Sequence, residues 1–109
     1  MTQRDVVLRW IEQIARVVRR MLQGPGPADV IAARVHLEEA MSQHLGSLAL
    51  VIPRLDVPSA VGLLQDPDRI LGLALLLDLQ ASVEAAAGDA AAAAKTRERA
   101  EEFRRSVGR

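Results

Sequence analysis

Apolar residues recur at intervals of three and four along most of the chain, which is the pattern of amphipathic α-helices. Glycine- and proline-containing stretches separate four such segments, at residues 2–23, 29–45, 67–87 and 90–106. Pro53 and Pro58 exclude one continuous helix in the segment 46–66, where we expect two short helical pieces. A strand at 48–52 is the local alternative, but it would find no partner strand. The pattern therefore predicts an all-α helical bundle of about five helices.

Helix starts are marked by residues that cap an N-terminus with an oxygen. The predicted caps are Thr2 (with Asp5 in the first turn), Asp29, Asp66 and Asp89, and residues 56–59 are predicted to form a turn that leads to a further cap. The segment from Ile70 to Leu79 is apolar nearly all round. A helix of that kind needs several neighbours to cover it, so we expect it to be the central helix.

The predicted helices form two hairpins, at about 2–45 and 67–107, joined by a Pro-containing connector at 46–66. A chain of 109 residues has the size of one domain, so we expect a single helical domain over 1–109. The second helix of each hairpin carries alanines seven residues apart on one face, which allow two helix axes to approach closely. These alanines are Ala33 with Ala40, and Ala93 with Ala100.

The alanine pairs, together with the Gly88-Asp89 turn and Phe103, resemble the tetratricopeptide hairpin. Taken whole, the chain resembles a family of small bacterial proteins, a domain of unknown function with tetratricopeptide-like helices. The resemblance is carried by Gln3, Asp5, Leu8, Ile11-Glu12-Gln13, Leu45-Gly46 and Gly88-Asp89. No particular activity follows from this resemblance. The tetratricopeptide-like fold that it implies is most often a protein-binding scaffold.

The charge and composition of the chain argue against several classes of function. Fourteen basic and fourteen acidic residues cancel, so the chain has no overall field that would attract nucleic acid or anionic lipid. The absence of cysteine excludes disulfides, thiol catalysis and thiolate metal sites. The first residues contain no signal-peptide core, and no apolar run approaches the roughly 20 residues of a membrane-spanning helix. We therefore expect a cytoplasmic protein.

Candidate catalytic and metal-binding residues are few. His36 and His44 lie eight residues apart, whereas one metal ion needs helical ligands about one turn apart. Adjacent carboxylates such as Glu38 and Glu39 diverge on a helix, which does not suit paired acid and base work. No serine, threonine or lysine has the spacing of an activated nucleophile. We predict a protein that is not an enzyme and that has no cofactor and no metal.

Two surfaces are the candidates for function. Apolar helix faces exceed what a small monomer needs to cover, which favours a homodimer or a groove for a protein partner; a self-contained core is the competing interpretation. The predicted interface residues are Trp10, Ile14, Val18, Leu73, Leu76 and Leu77. The alternative is weak binding of nucleic acid or another polyanion by arginines of the first and last helices. The predicted polyanion contacts are Arg9, Arg16, Arg20, Arg104 and Arg105.

Asp78 interrupts the most apolar helix of the chain. We expect a charge at the edge of the core to pair with an arginine of the first or last helix, such as Arg16 or Arg97. Trp10 is expected to anchor the core, although a partly exposed tryptophan would suit the centre of a contact surface.

Overall fold

The computed structural model describes residues 3–24 and 26–108, with side chains from Asp5 onward. In these residues the helices are α1 (Gln3–Leu22), α2 (Pro27–Leu45), α3 (Val57–Leu64), α4 (Pro67–Ala86) and α5 (Ala90–Val107). Two short 3-10 helices, Gly46–Leu50 and Ile52–Arg54, connect α2 to α3. No strand occurs in the described part of the chain, so the predicted all-α class is confirmed and the strand at 48–52 does not form.

Aspartates begin three of the helices; the sequence predicts Asp66 and Asp89, whereas for α3 it predicts only a turn at 56–59 that leads to a new cap. Asp56, Asp66 and Asp89 occupy the N-caps of α3, α4 and α5, and each accepts a hydrogen bond from a backbone N–H of the first turn, at 2.8 to 3.0 Å. These bonds satisfy amide groups that have no partner inside the helix.

The predicted cap of α2 is wrong. This helix begins at Pro27 with Gly26 as its N-cap, and Asp29 lies in the first turn, where its carboxylate accepts a hydrogen bond from the Gly26 N–H at 3.2 Å. Proline suits the first helical position because its φ angle is already set and its missing N–H has no role there. The helix therefore starts before the aspartate. The predicted cap at Thr2 lies outside the described residues.

Helix α4 is the centre of the bundle and contacts α1, α2, α3 and α5. Most of its apolar residues are buried, including Leu73 and Leu76. Apolar side chains of α1, α2 and α4 form one core cluster. Those of α3, α4 and α5, together with Ile52 and the end of α2, form another. This confirms the prediction of a central helix covered from several sides.

Helices α4 and α5 are antiparallel. The Thr96 hydroxyl donates to the Glu84 carboxylate at 2.6 Å, and further along α5 the guanidinium of Arg104 pairs with Asp78, which lies earlier on α4. The alanines predicted to allow close approach are all buried: Ala33, Ala40, Ala93 and Ala100. Small side chains at these positions let α2 and α5 lie close to their neighbours.

Candidate functional site

Helix α1 carries two apolar stripes that lie side by side. The first stripe faces the core and includes Ile11 and Val18, which are 2% and 0% exposed. We call the second stripe the outer stripe. Its residues follow one another at intervals of four, four, three and four, and it stays partly at the surface. Its members are Val6, Trp10, Ile14, Val17 and Met21.

The outer stripe is only partly covered by the bundle. Trp10, Ile14 and Met21 are half-buried and pack against the core cluster of α1, α2 and α4. Val6 is 54% exposed and Val17 is 39% exposed. An amphipathic helix of a small bundle needs one apolar face, so the exposed part of the outer stripe, at Val6 and Val17, is apolar surface beyond what the core uses.

Different elements border the outer stripe on its two sides. On one side lies α2, because the Trp10 ring stacks on the His44 ring with centroids 6.3 Å apart and planes 25° apart. The other side is the polar face of α1, which carries Arg9, Arg16 and Arg20, all exposed. An apolar strip with a charged margin is the composition of a protein contact surface.

The six predicted interface residues divide into two groups. Trp10 and Ile14 belong to the outer stripe. Val18, Leu73, Leu76 and Leu77 are buried in the core of the single chain, at 7% exposure or less. A partner that docks on the surface does not reach these four side chains, because neighbouring helices of the same chain already cover them. The stripe residues missing from the predicted interface are Val6, Val17 and Met21; their spacing places them on one helical face with Trp10, but only the packing of α1 shows that this face stays partly at the surface.

His44 lies in the contact between α2 and α4. Its Nε2–H donates to the backbone carbonyl of Arg69 at 2.8 Å, and the Arg69 guanidinium donates in return to the carbonyl of Leu45 at 2.6 Å. The ring lies against Gly72, where a Cβ atom would come within 2.6 Å of His44 Cε1. Burial lowers the pKa of His44 below its ordinary value and outweighs the hydrogen bond to the Arg69 carbonyl, which acts in the opposite direction. This arrangement joins the two helices.

The other candidate for catalysis or metal binding is His36. His36 is half-buried, and its Nε2 atom is buried without a hydrogen-bond partner. Within residues 3–24 and 26–108, no group of three histidine, cysteine or acidic side chains is arranged to hold a metal ion. His44 packs against Gly72 and Trp10.

The five predicted polyanion contacts also fall into two groups. Arg9, Arg16, Arg20 and Arg105 are exposed. Arg104 is half-buried and its guanidinium contacts the carboxylates of Asp78 and Glu101. Asp78 is thus paired with an arginine of the last helix, as expected, but the arginine is neither Arg16 nor Arg97. Because α4 and α5 pack antiparallel in this register, residue 104 lies beside residue 78. Asp78 therefore pairs with Arg104 and not with Arg97.

Comparison of the chain with models of known protein families, with curated proteins and with solved structures finds no match. The resemblance to a tetratricopeptide-like family therefore stays a prediction. In the described part of the chain, no helix combines the length and the apolar character needed to cross a membrane.

Proposed function

We propose that this protein is a non-catalytic protein–protein interaction module, and that it self-associates through the outer stripe of α1. The observation that carries the proposal is the exposure of Val6 and Val17 on the same helical face as Trp10. Burial of apolar surface is the main favourable term in protein association, and tryptophan is enriched at the centres of contact surfaces.

The charged margins of the outer stripe support a second copy of the chain as the partner. Arg9 and Arg20 are exposed on the polar face of α1, which borders the stripe on the side away from α2, and α2 itself carries the exposed Glu39. In a two-fold pair with its axis along the stripe, the arginine margin of one copy meets the α2 margin of the other. The arginines of one copy then approach the helix of the other copy that carries Glu39, which favours this orientation.

The size of the stripe sets the strength of the association. Helix α1 has 20 residues and is about 30 Å long. A strip of that length and one side chain wide covers less than the roughly 800 Å² per partner of a stable interface. We therefore expect a weak dimer, with a dissociation constant between about 1 μM and 1 mM.

Sedimentation velocity over a concentration series up to about 1 mM tests the proposal. Wild type should shift from monomer to dimer, and the double variant Val6→Asp, Val17→Asp should stay monomeric because charges then occupy the contact. Leu63→Asp on α3 is the matched control, since Leu63 is 48% exposed but lies on another helix. A wild type that stays monomeric throughout, or a double variant that dimerises as wild type does, contradicts the proposal.

A second candidate function is weak binding of nucleic acid by the polar face of α1. Arg9, Arg16 and Arg20 are exposed and follow one another at about helical spacing on that face, which supports it. A mobility-shift assay at two salt concentrations is the test, because each neutralised phosphate contributes about 0.7 to 0.9 to the steepness of the salt dependence. Replacing the three arginines by glutamine should weaken binding and flatten the salt dependence. Absence of a shift at low salt removes this candidate.

A further inference from the structure

The second half of α1, the turn after it and the start of α2 differ in charge from the rest of the chain. From Gln13 to Ala28 the sequence contains three arginines and no acidic residue, whereas the remaining residues carry eleven basic and fourteen acidic side chains. The arginines are Arg16, Arg19 and Arg20, all exposed, and we call them the arginine cluster. The overall neutrality of the chain therefore conceals a local excess of positive charge.

The positive charge of the arginine cluster is not neutralised by its neighbours. Among the described residues, no ion pair joins the cluster to a carboxylate. Glu12 and Asp78 line a depression between α1 and α4 together with Arg16 and Arg19, but the Asp78 carboxylate is already paired with Arg104. Three arginines thus face one remaining carboxylate, and the cluster keeps a net positive charge.

Exposed aliphatic side chains lie beside the arginine cluster. Val17 is exposed on α1, and Ile31 and Val35, one helical turn apart on α2, are 59% and 49% exposed. A turn of only four residues joins the two helices, which makes them antiparallel neighbours. Val17 and Ile31 therefore each lie about 6 to 8 Å along the helix from the turn. We call the arginine cluster together with Val17, Ile31 and Val35 the hairpin end.

We propose that the hairpin end docks on the surface of an anionic lipid bilayer. Val17, Ile31 and Val35 enter the boundary between headgroups and acyl chains, and the guanidinium groups of the arginine cluster contact headgroup phosphates. Arginine has a long apolar stem, which can lie beside the inserted aliphatic groups while its charge stays in water. Cations beside aliphatic side chains are the composition of helices that lie on membrane surfaces. This inference does not depend on the proposed self-association.

Other occupants fit the hairpin end less well. In a two-fold pair through the hairpin end, the arginine clusters of both copies would share one contact and repel each other. Nucleic acid would contact the arginine cluster but leave Ile31 and Val35 in water, and residues 13–35 contain no aromatic side chain on which a base could stack. An anionic bilayer supplies phosphates and hydrocarbon in one surface, so it satisfies the arginines and the aliphatic side chains together.

Flotation of the full chain with lipid vesicles, at a protein concentration where the chain is monomeric, tests the proposal. We expect binding to phosphatidylcholine vesicles that contain about 30 mol% phosphatidylglycerol, and little binding to phosphatidylcholine alone. Each arginine near an anionic surface strengthens binding about fivefold, so Arg19→Gln, Arg20→Gln should weaken it about 10- to 30-fold. Arg54→Gln, Arg105→Gln is the matched control, because it removes the same charge from exposed positions outside the hairpin end and should leave binding unchanged.

The double variant Ile31→Ser, Val35→Ser tests the aliphatic part of the hairpin end. It should weaken vesicle binding about three- to tenfold and leave self-association unchanged, because neither residue belongs to the outer stripe. Leu63→Ser, a position on α3 exposed to a similar degree, is the control and should bind as wild type does. Binding of nucleic acid or of an acidic protein in place of anionic vesicles overturns the proposal. So does equal binding to both kinds of vesicle, equal loss in a control, or unchanged vesicle binding of Ile31→Ser, Val35→Ser.

Discussion

Replacement of Gly72 by alanine tests the close contact between α2 and α4. The new Cβ atom would lie 2.6 Å from Cε1 and 2.8 Å from Nε2 of His44, and 3.1 Å from Cδ1 of Ile11. Carbon atoms in contact are normally about 3.5 to 4.0 Å apart, so the imidazole must retreat by about 1 Å. It is held there by its hydrogen bond to the Arg69 carbonyl and by the Trp10 ring.

The free-energy terms of this substitution have opposite signs. Alanine is favoured over glycine inside a helix by about 1 kcal/mol. Against that, overfilling a packed site costs about 1 to 3 kcal/mol, and breaking the hydrogen bond made by His44 costs about 1 kcal/mol. We therefore expect Gly72→Ala to lower the free energy of unfolding by about 1 to 3 kcal/mol in urea denaturation.

Two companion variants make the test specific. Gly62→Ala on α3 is the matched control, because no atom lies within 4 Å of its Cβ position, and it should stabilise the protein by up to about 1 kcal/mol. In a His44→Ala background the obstructing ring is gone, so Gly72→Ala should become neutral or stabilising. If Gly72→Ala stabilises the wild type as Gly62→Ala does, the close contact does not exist.

Three further predictions concern His44, the Asp78–Arg104 pair and Phe103. Because burial lowers the pKa of His44 below 6.5, the folded state binds fewer protons than the unfolded chain, so the free energy of unfolding should be fully developed above pH 6.5 and fall as the pH drops through the lowered pKa. Urea denaturation across this range should show a smaller fall for His44→Gln, and an unchanged fall would contradict the assignment. Asp78→Asn should cost at most about 1 kcal/mol, and less at high salt, since the paired side chains are 40% and 32% exposed; a cost that salt leaves unchanged would point to packing instead. Phe103→Ala should cost about 3 to 5 kcal/mol in thermal or urea unfolding because Phe103 is fully buried, and a cost below about 1 kcal/mol would remove it from the core.

The helices and most of their starts are predictable from the sequence because local physics decides them. Asp66 and Asp89 cap helices at the predicted positions, and the uniformly apolar stretch of α4 identifies the central helix. Asp56 caps α3 at the start of the predicted turn rather than after it. The start of α2 differs from the prediction because Gly26 and Pro27 together supply a helix start before the aspartate is reached. Each of these helix starts depends only on residues within about one helical turn of it.

The candidate site depends on tertiary register, which the sequence pattern does not contain. Val6 and Val7 are equally apolar and differ only by their angle around α1, so periodicity alone does not say which one meets the bundle. The partner of Asp78 is decided by how α5 lies along α4. The burial of His44 depends on the absence of a side chain at Gly72, which lies far from it in sequence.

The most direct test of the proposed self-association uses Trp10, the only tryptophan of the chain and a member of the outer stripe. Acrylamide quenching of its fluorescence is measured over the same concentrations as the sedimentation series. If copies meet through the outer stripe, quenching should decrease as the dimer forms, and Val6→Asp, Val17→Asp should abolish that decrease. A mass that doubles while quenching of Trp10 stays constant would place the contact elsewhere and contradict the account.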